Sequence, residues 1–248
     1  MANLPASIEV VFFPTEKHIQ QIEAWLHDEE KKTNEGFYCN WNLIFEYYQK
    51  NKMLVIAEDD NAIGFVTYRT RPDNTSVIQH AEIKPTHRNK GYGKILISQL
   101  CEYLRSINVY VIELVCNPKS SEKKWLKMGF NDFPEPYSYY NFSIDGNRPL
   151  YKIIVDSLSN DTDIKSENTI ELWNCERDPD DNVLPPVKIW NLEFIKGTKK
   201  LIKPIVYPYN YDWTLRCTLN GDVIFDDRAR SFDKINCYYA FMIIESLE

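Results

Sequence analysis

Arg88-Asn89-Lys90-Gly91-Tyr92-Gly93-Lys94 holds two glycines and three cationic side chains in seven residues, with His87 a further potential cation. Such a stretch suits an anion, and a phosphate above all. Glycine reaches positive φ and lets the backbone come close to a bound group, so successive N–H groups can converge on a negative charge. Upstream, His80 and Glu82 stand two apart, and on a strand that spacing puts both on one face. An imidazole near its ordinary pKa of about 6.5 could accept a proton at neutral pH. A carboxylate in that role needs a raised pKa or an intervening water. The plainer account is a strand-to-helix turn with a solvated basic rim, preceded by polar strand residues bonded to their neighbours.

The flanking elements place that stretch where an anion site needs it. Val77, Ile78, Ala81 and Ile83 predict a strand, and Pro85 ends it because it has no N–H to extend a ladder. Beyond Gly93, Ile97, Leu100, Cys101 and Leu104 follow helical spacing. The glycines therefore sit at the start of a helix, where N–H groups are unpaired and the dipole supplies about half a positive charge. Upstream, a strand at 8–13 stops at Pro14, and Thr15 caps a helix carrying Ile19, Ile22 and Leu26. The polar run 27–34 is expected to end that helix. A second helix is predicted at Trp41–Gln49, then a strand pair at 53–57 and 63–69.

After the glycine helix, the apolar run 109–116 suits a parallel strand covered on both faces. Ser120 or Ser121 can cap a short helix with Trp125 and Met128 facing inward, closed by Gly129. Segments 137–144 and 150–155 flank Asp145-Gly146, a hairpin signal. Residues 158–167 read as a polar linker. Beyond it strands dominate: 169–175, 187–194, 202–207 and 213–219, with Asn220-Gly221 turning the chain into 223–225. Residues 238–244 could be a strand or a helix.

Arg88-x-x-Gly91-x-Gly93 resembles the pyrophosphate-binding signature of the GNAT superfamily of acetyl-CoA-dependent N-acetyltransferases. Asn117 after the fifth strand and the helix closing in Gly129-Phe130 resemble that family's second coenzyme-binding motif. The resemblance covers about the first 155 residues. It implies the acyl-CoA N-acyltransferase fold, an α/β (α+β) arrangement with a mixed central sheet flanked by helices. The expected domains are 1–157 of this type, the linker 158–167, and a small, mostly antiparallel β domain at 168–248 of unknown role. The resemblance also implies acetyl-CoA as cosubstrate. Backbone around Ala81 and Ile83 would hold the pantetheine arm. The amides of Arg88, Asn89, Lys90, Gly91, Tyr92, Gly93 and Lys94 would hold the pyrophosphate. Asn117 and Ser120 belong to the second motif, and Lys119, Lys123 or Lys124 could reach the terminal phosphate. Where many members have a tyrosine that protonates the leaving thiolate, this chain has Trp125. An indole N–H is no useful acid, so either another group serves, with Tyr137, Tyr139 and Tyr140 the nearest candidates, or the thiolate leaves with no assigned acid, or catalysis is weak or absent.

The expected function is acetyl transfer to a primary amine by direct attack in a ternary complex, the amine being a small molecule, peptide or protein. The alternative is an acyl-CoA-binding regulatory protein with weak or no turnover, its protein partner engaged through residues 168–248. The chain has 248 residues and a net charge of −7, which argues against general nucleic-acid binding. Its six cysteines are scattered, and no Cys/His spacing suggests a metal. No apolar run approaches membrane-spanning length, and the first residues carry no signal segment. A cytoplasmic protein with no membrane partner is expected.

Overall fold

The computed structural model describes residues 7–134, 148–158, 166–175, 185–235 and 240–248. Tyr137, Tyr139, Tyr140, the hairpin at Asp145-Gly146 and most of the expected linker lie outside these residues. The chain divides into two compact units, Met1–Val115 with Ser121–Phe130, and Cys116–Ser120 with Asn131–Glu248.

The first unit is built on a sheet. Its strands are β1 (Ile8–Val11), β2 (Met53–Glu58), β3 (Asn61–Thr70), β4 (Thr75–Ile83) and β5 (Val111–Cys116), hydrogen-bonded in that order. The first four run antiparallel to their neighbours, and β4 pairs with β5 in parallel. Helix α1 (Glu16–Thr33) starts at Thr15, whose N–H donates to Nδ1 of His18 (3.2 Å), three residues into the helix. Its apolar stripe Ile19, Ile22, Trp25 and Leu26 packs with Ile44 of α2 (Trp41–Gln49) on Val55 and Phe65 of the sheet. Helix α3 (Tyr92–Ser106) buries Leu96, Ile97, Leu100, Cys101 and Leu104, and α4 (Glu122–Lys127) is a short helix further on.

Two expectations change here. The polar run 27–34 does not end α1: the helix continues to Thr33 and closes at Asn34, which takes the left-handed conformation (φ 57°). Lys32 pairs with Asp28 one turn back (2.7 Å), and Glu29 turns inward. On β5, Val115 is exposed, and buried Glu113 is neutralised by Arg71 (2.5 Å), so the strand is not uniformly apolar or covered.

The second unit is all β among the described residues, apart from short 3-10 turns. Strands β6 (Asn131–Asp132) and β7 (Arg148–Ile153) pair antiparallel. Strands β8 (Thr169–Trp173), β9 (Lys188–Asn191), β11 (Thr214–Leu219) and β12 (Asp222–Arg228) form a four-stranded sheet ordered β12-β11-β8-β9, and β10 (Lys200–Pro208) pairs with β13 (Phe241–Ser246). Every pair is antiparallel. Asn220 and Gly221 both have positive φ, as a two-residue hairpin loop requires. The core gathers Ile170, Leu172, Trp190, Trp213, Leu215 and Ile244, with Leu158 packed on its edge. The apolar run near the C-terminus is thus a strand. Contact clustering groups β6 and β7 with this unit. Phe133 and Tyr151 pack on Phe241, at ring-centroid distances of 5.6 and 5.5 Å. No described helix is long and apolar enough to cross a membrane.

Candidate functional site

The loop between β4 and α3 makes few bonds to the rest of the protein through its backbone. The N–H of Arg88 donates to the carbonyl of Pro85 (3.3 Å), and those of Lys94 and Ile95 donate to that of Gly91 (3.0 and 3.2 Å). Between them the amides of Asn89, Lys90, Gly91, Tyr92 and Gly93 have no partner among the described residues. Asn89 (φ 65°) and Gly91 (φ 88°) are left-handed, and alternation of this kind turns successive N–H groups toward one concave face. The start of α3 adds its dipole. A Cβ built on Gly91 would meet nothing within 4 Å, and one on Gly93 would meet only Ile83 Cγ1 at 3.8 Å. The space over both glycines is therefore open, as a bound diphosphate requires. Glu58, at the end of β2, steadies the loop by accepting from Tyr92 (3.1 Å) and from His87 Nε2 (3.1 Å).

The side chain of Arg88 does not add its charge to that cradle in the way the sequence suggests. Its Nε donates to the carbonyl of Ile83 (2.8 Å), and its Nη2 donates to Oε1 of Glu29 (2.6 Å) and Oε1 of Glu82 (2.9 Å). Two carboxylates withdrawn from water need a cation close by, and this guanidinium is the one in contact with both. Burial raises the Glu82 pKa above the ordinary carboxyl range despite the opposing charge of Arg88. Glu29 was invisible in the sequence because it lies in the polar run that reads as a helix end.

On β4, His80 and Glu82 sit opposite Thr67 and Phe65 of β3, so the two share a face. A bulge at Gln79 puts them there, since Ile78 pairs with Tyr68 and His80 with the adjacent Thr67. Nδ1 of His80 lies 3.0 Å from Oγ1 of Thr67, and its ring packs against Phe37 and Tyr47. Burial lowers its pKa, so the ring is neutral at pH 7. Pairing with β5 stops at Val77↔Glu113, and beyond it β4, with Ala81 and Ile83, is paired among the described residues on the β3 side only. The strands part on the side where the open loop begins.

Residues 16–130 match the family model described as "Acetyltransferase (GNAT) family". Residues 16–130 are a GNAT acetyltransferase domain. Acetyl-CoA is the cosubstrate of that family. Solved structures similar to this chain include a GNAT-family acetyltransferase from Staphylococcus aureus Mu50. It is 15% identical, covers 60% of this chain and 100% of its own, and has a TM-score of 0.48. Ard1 from Thermoplasma volcanium is 15% identical, covers 62% and 100%, and scores 0.46. PaiA N-acetyltransferase from Thermoplasma acidophilum, solved with coenzyme A, is 17% identical, covers 59% and 99%, and scores 0.45. No curated protein matches the sequence.

The residues expected to form a second coenzyme-binding motif divide between the two units. Asn117 and Ser120 are exposed and fall in the second compact unit, whereas Lys124 is exposed on α4 in the first. Trp125 packs edge-on against Phe130 (5.2 Å), and Gly129 closes the helix at φ 84°. The site also depends on a residue that carries no chemistry. A Cβ on Gly64 of β3 would lie 2.4 Å from Ile83 Cδ1 and 2.9 Å from the carbonyl oxygen of Glu82. Only glycine lets β3 approach β4 this closely at the end that launches the loop.

Proposed function

We propose that the GNAT domain binds acetyl-CoA and transfers its acetyl group to a primary amine by direct attack in a ternary complex. The observation that carries this reading is the run of five unpartnered amides, 89–93, with left-handed Asn89 and Gly91 and open space above both glycines. These amides would hold the diphosphate, with Lys90 and Lys94 adding charge from exposed positions. The unpaired side of β4 at Ala81 and Ile83 would take the amide-rich pantetheine arm, as an added strand would.

Transfer forms a C–N bond, breaks the C–S bond, and requires the amine nitrogen to lose a proton and the thiolate to gain one. Glu82 fits the first proton transfer, because burial brings its pKa up toward the working range of a base. His80 fits a different role. Thr67 is fully buried, and its oxygen accepts the backbone N–H of His80 (3.1 Å). Its own hydroxyl proton then has the His80 Nδ1 as acceptor, which leaves the ring proton on Nε2. Neutral His80 is then a hydrogen-bond donor rather than a base.

The test is incubation with acetyl-CoA and a panel of primary amines while free thiol is measured, alongside calorimetric titration with coenzyme A. Thiol release that depends on an amine is the expected result. Absence of release with every acceptor would overturn the transfer reading. Tight coenzyme binding without release would instead support an acyl-CoA-binding protein, a reading favoured by Trp125 standing where an acid is wanted. In that case a protein partner would be sought through residues 168–248.

A further inference from the structure

We infer that Glu29, on a different element and 59 residues away in sequence, is a positioning residue for the coenzyme loop and acts on it through Arg88. The inference rests on the coenzyme reading given above. Arg88 is the last residue before the open amides. Its backbone is extended (φ −66°, ψ 155°), and the next residue, Asn89, already turns left-handed. Its side chain is held at three points: the carbonyl that ends β4, Glu82 on β4, and Glu29 in the penultimate turn of α1. The direction in which the following N–H groups point is set by how Arg88 leaves the sheet. Among the described residues, Glu29 is the contact that ties this exit to an element outside the sheet.

The energetics of Glu29 point the same way. It is 6% exposed, and its Oε2 is buried with no hydrogen-bond partner. A half-satisfied buried carboxylate is a poor source of stability, even with an arginine beside it. What the pair does is fix Arg88.

Coulomb's law and this inference make opposite forecasts. Coenzyme A is a polyanion, so removing a nearby negative charge should tighten its binding by charge alone. If Glu29 positions the loop, removing it weakens binding instead. The experiment is calorimetric titration of the full-length chain with coenzyme A, for the wild type, Glu29→Gln, Glu29→Leu, Arg88→Leu, the double variant, and Asp28→Asn. Asp28 is an exposed neighbour whose loss changes net charge equally. Glu29→Leu is expected to weaken binding about tenfold, the scale of one lost charge-assisted hydrogen bond. Glu29→Gln should lose less, because its amide oxygen can still accept from Arg88, and Asp28→Asn should lose nothing. In the Arg88→Leu background, Glu29→Leu should have no further effect, because the two act as one unit. Unchanged or tighter binding in Glu29→Leu, or losses that add in the double variant, would overturn the inference. Should Glu29→Leu fail to fold, the nearly isosteric Glu29→Gln decides. A wild type without affinity for coenzyme A removes the coenzyme reading too, whereas a wild type that binds beside indifferent variants removes only the role of Glu29.

Discussion

A glycine with no part in the chemistry is among the most exacting residues of the site. Gly64→Ala would place a methyl group 2.9 Å from the carbonyl of Glu82, a backbone atom that cannot swing aside, as well as against Ile83. The expected loss is about 1–3 kcal/mol in denaturant unfolding, with weaker coenzyme binding because β4 launches the loop. The pH dependence is specific to two neighbours. The folded-state pKa of His80 is depressed by burial, so its contribution to stability is whole above about pH 6.5 and is lost as pH falls through the lowered value. Glu82 has the opposite sign. Burial raises its pKa, so its contribution is present below about pH 4.3 and is lost as pH rises through the raised value. Denaturant unfolding of His80→Asn across pH should therefore show a flatter decline below about pH 6.5 than the wild type; an unchanged decline would mean that His80 is not the group responsible. The glycine pair of the loop was legible because phosphate cradles are local in sequence. Glu29 and Gly64 were not, because each matters only through a residue brought to it by folding.

At the scale of elements, α1 shows how a helix can run through a sequence that looks like its end. Nothing apolar marks its last two turns, and the stop comes from Asn34, whose N–H bonds to the carbonyl of Glu30 (2.8 Å) in the left-handed conformation. Asn34→Gly should be neutral within about 0.5 kcal/mol, whereas Asn34→Val should cost about 1–2 kcal/mol, since a branched side chain resists that conformation. Thermal unfolding checks both. Because Glu29 lies in the penultimate turn, the valine variant should also lose coenzyme affinity. The bulge at Gln79 was equally hidden, for no glycine or proline announces it. Pro85, by contrast, marked the end of β4 plainly, and Trp41–Gln49 read as a helix from its spacing alone. The last strand, β13, was ambiguous because a short apolar run carries no period that separates strand from helix.

For the molecule as a whole, the described chain gathers into two compact units, and the second takes in a short segment, Cys116–Ser120, from within the first. A polar stretch looks like a linker from sequence alone, whereas membership in a core depends on partners far along the chain. Phe133 and Tyr151 lean on Phe241, so a chain ended after residue 157 should leave those rings uncovered and bind a hydrophobic dye that the full chain does not. In calorimetry, two compact units predict two transitions, and coenzyme A should raise the one that contains the loop. The alternation of segments also has a consequence for synthesis. The chain passes from one unit to the other at Val115, returns at Ser121, and leaves again after Phe130. A ribosome delivers Cys116–Ser120 before all the rest of their unit, so those five residues are made while more than a hundred others of that unit have still to emerge.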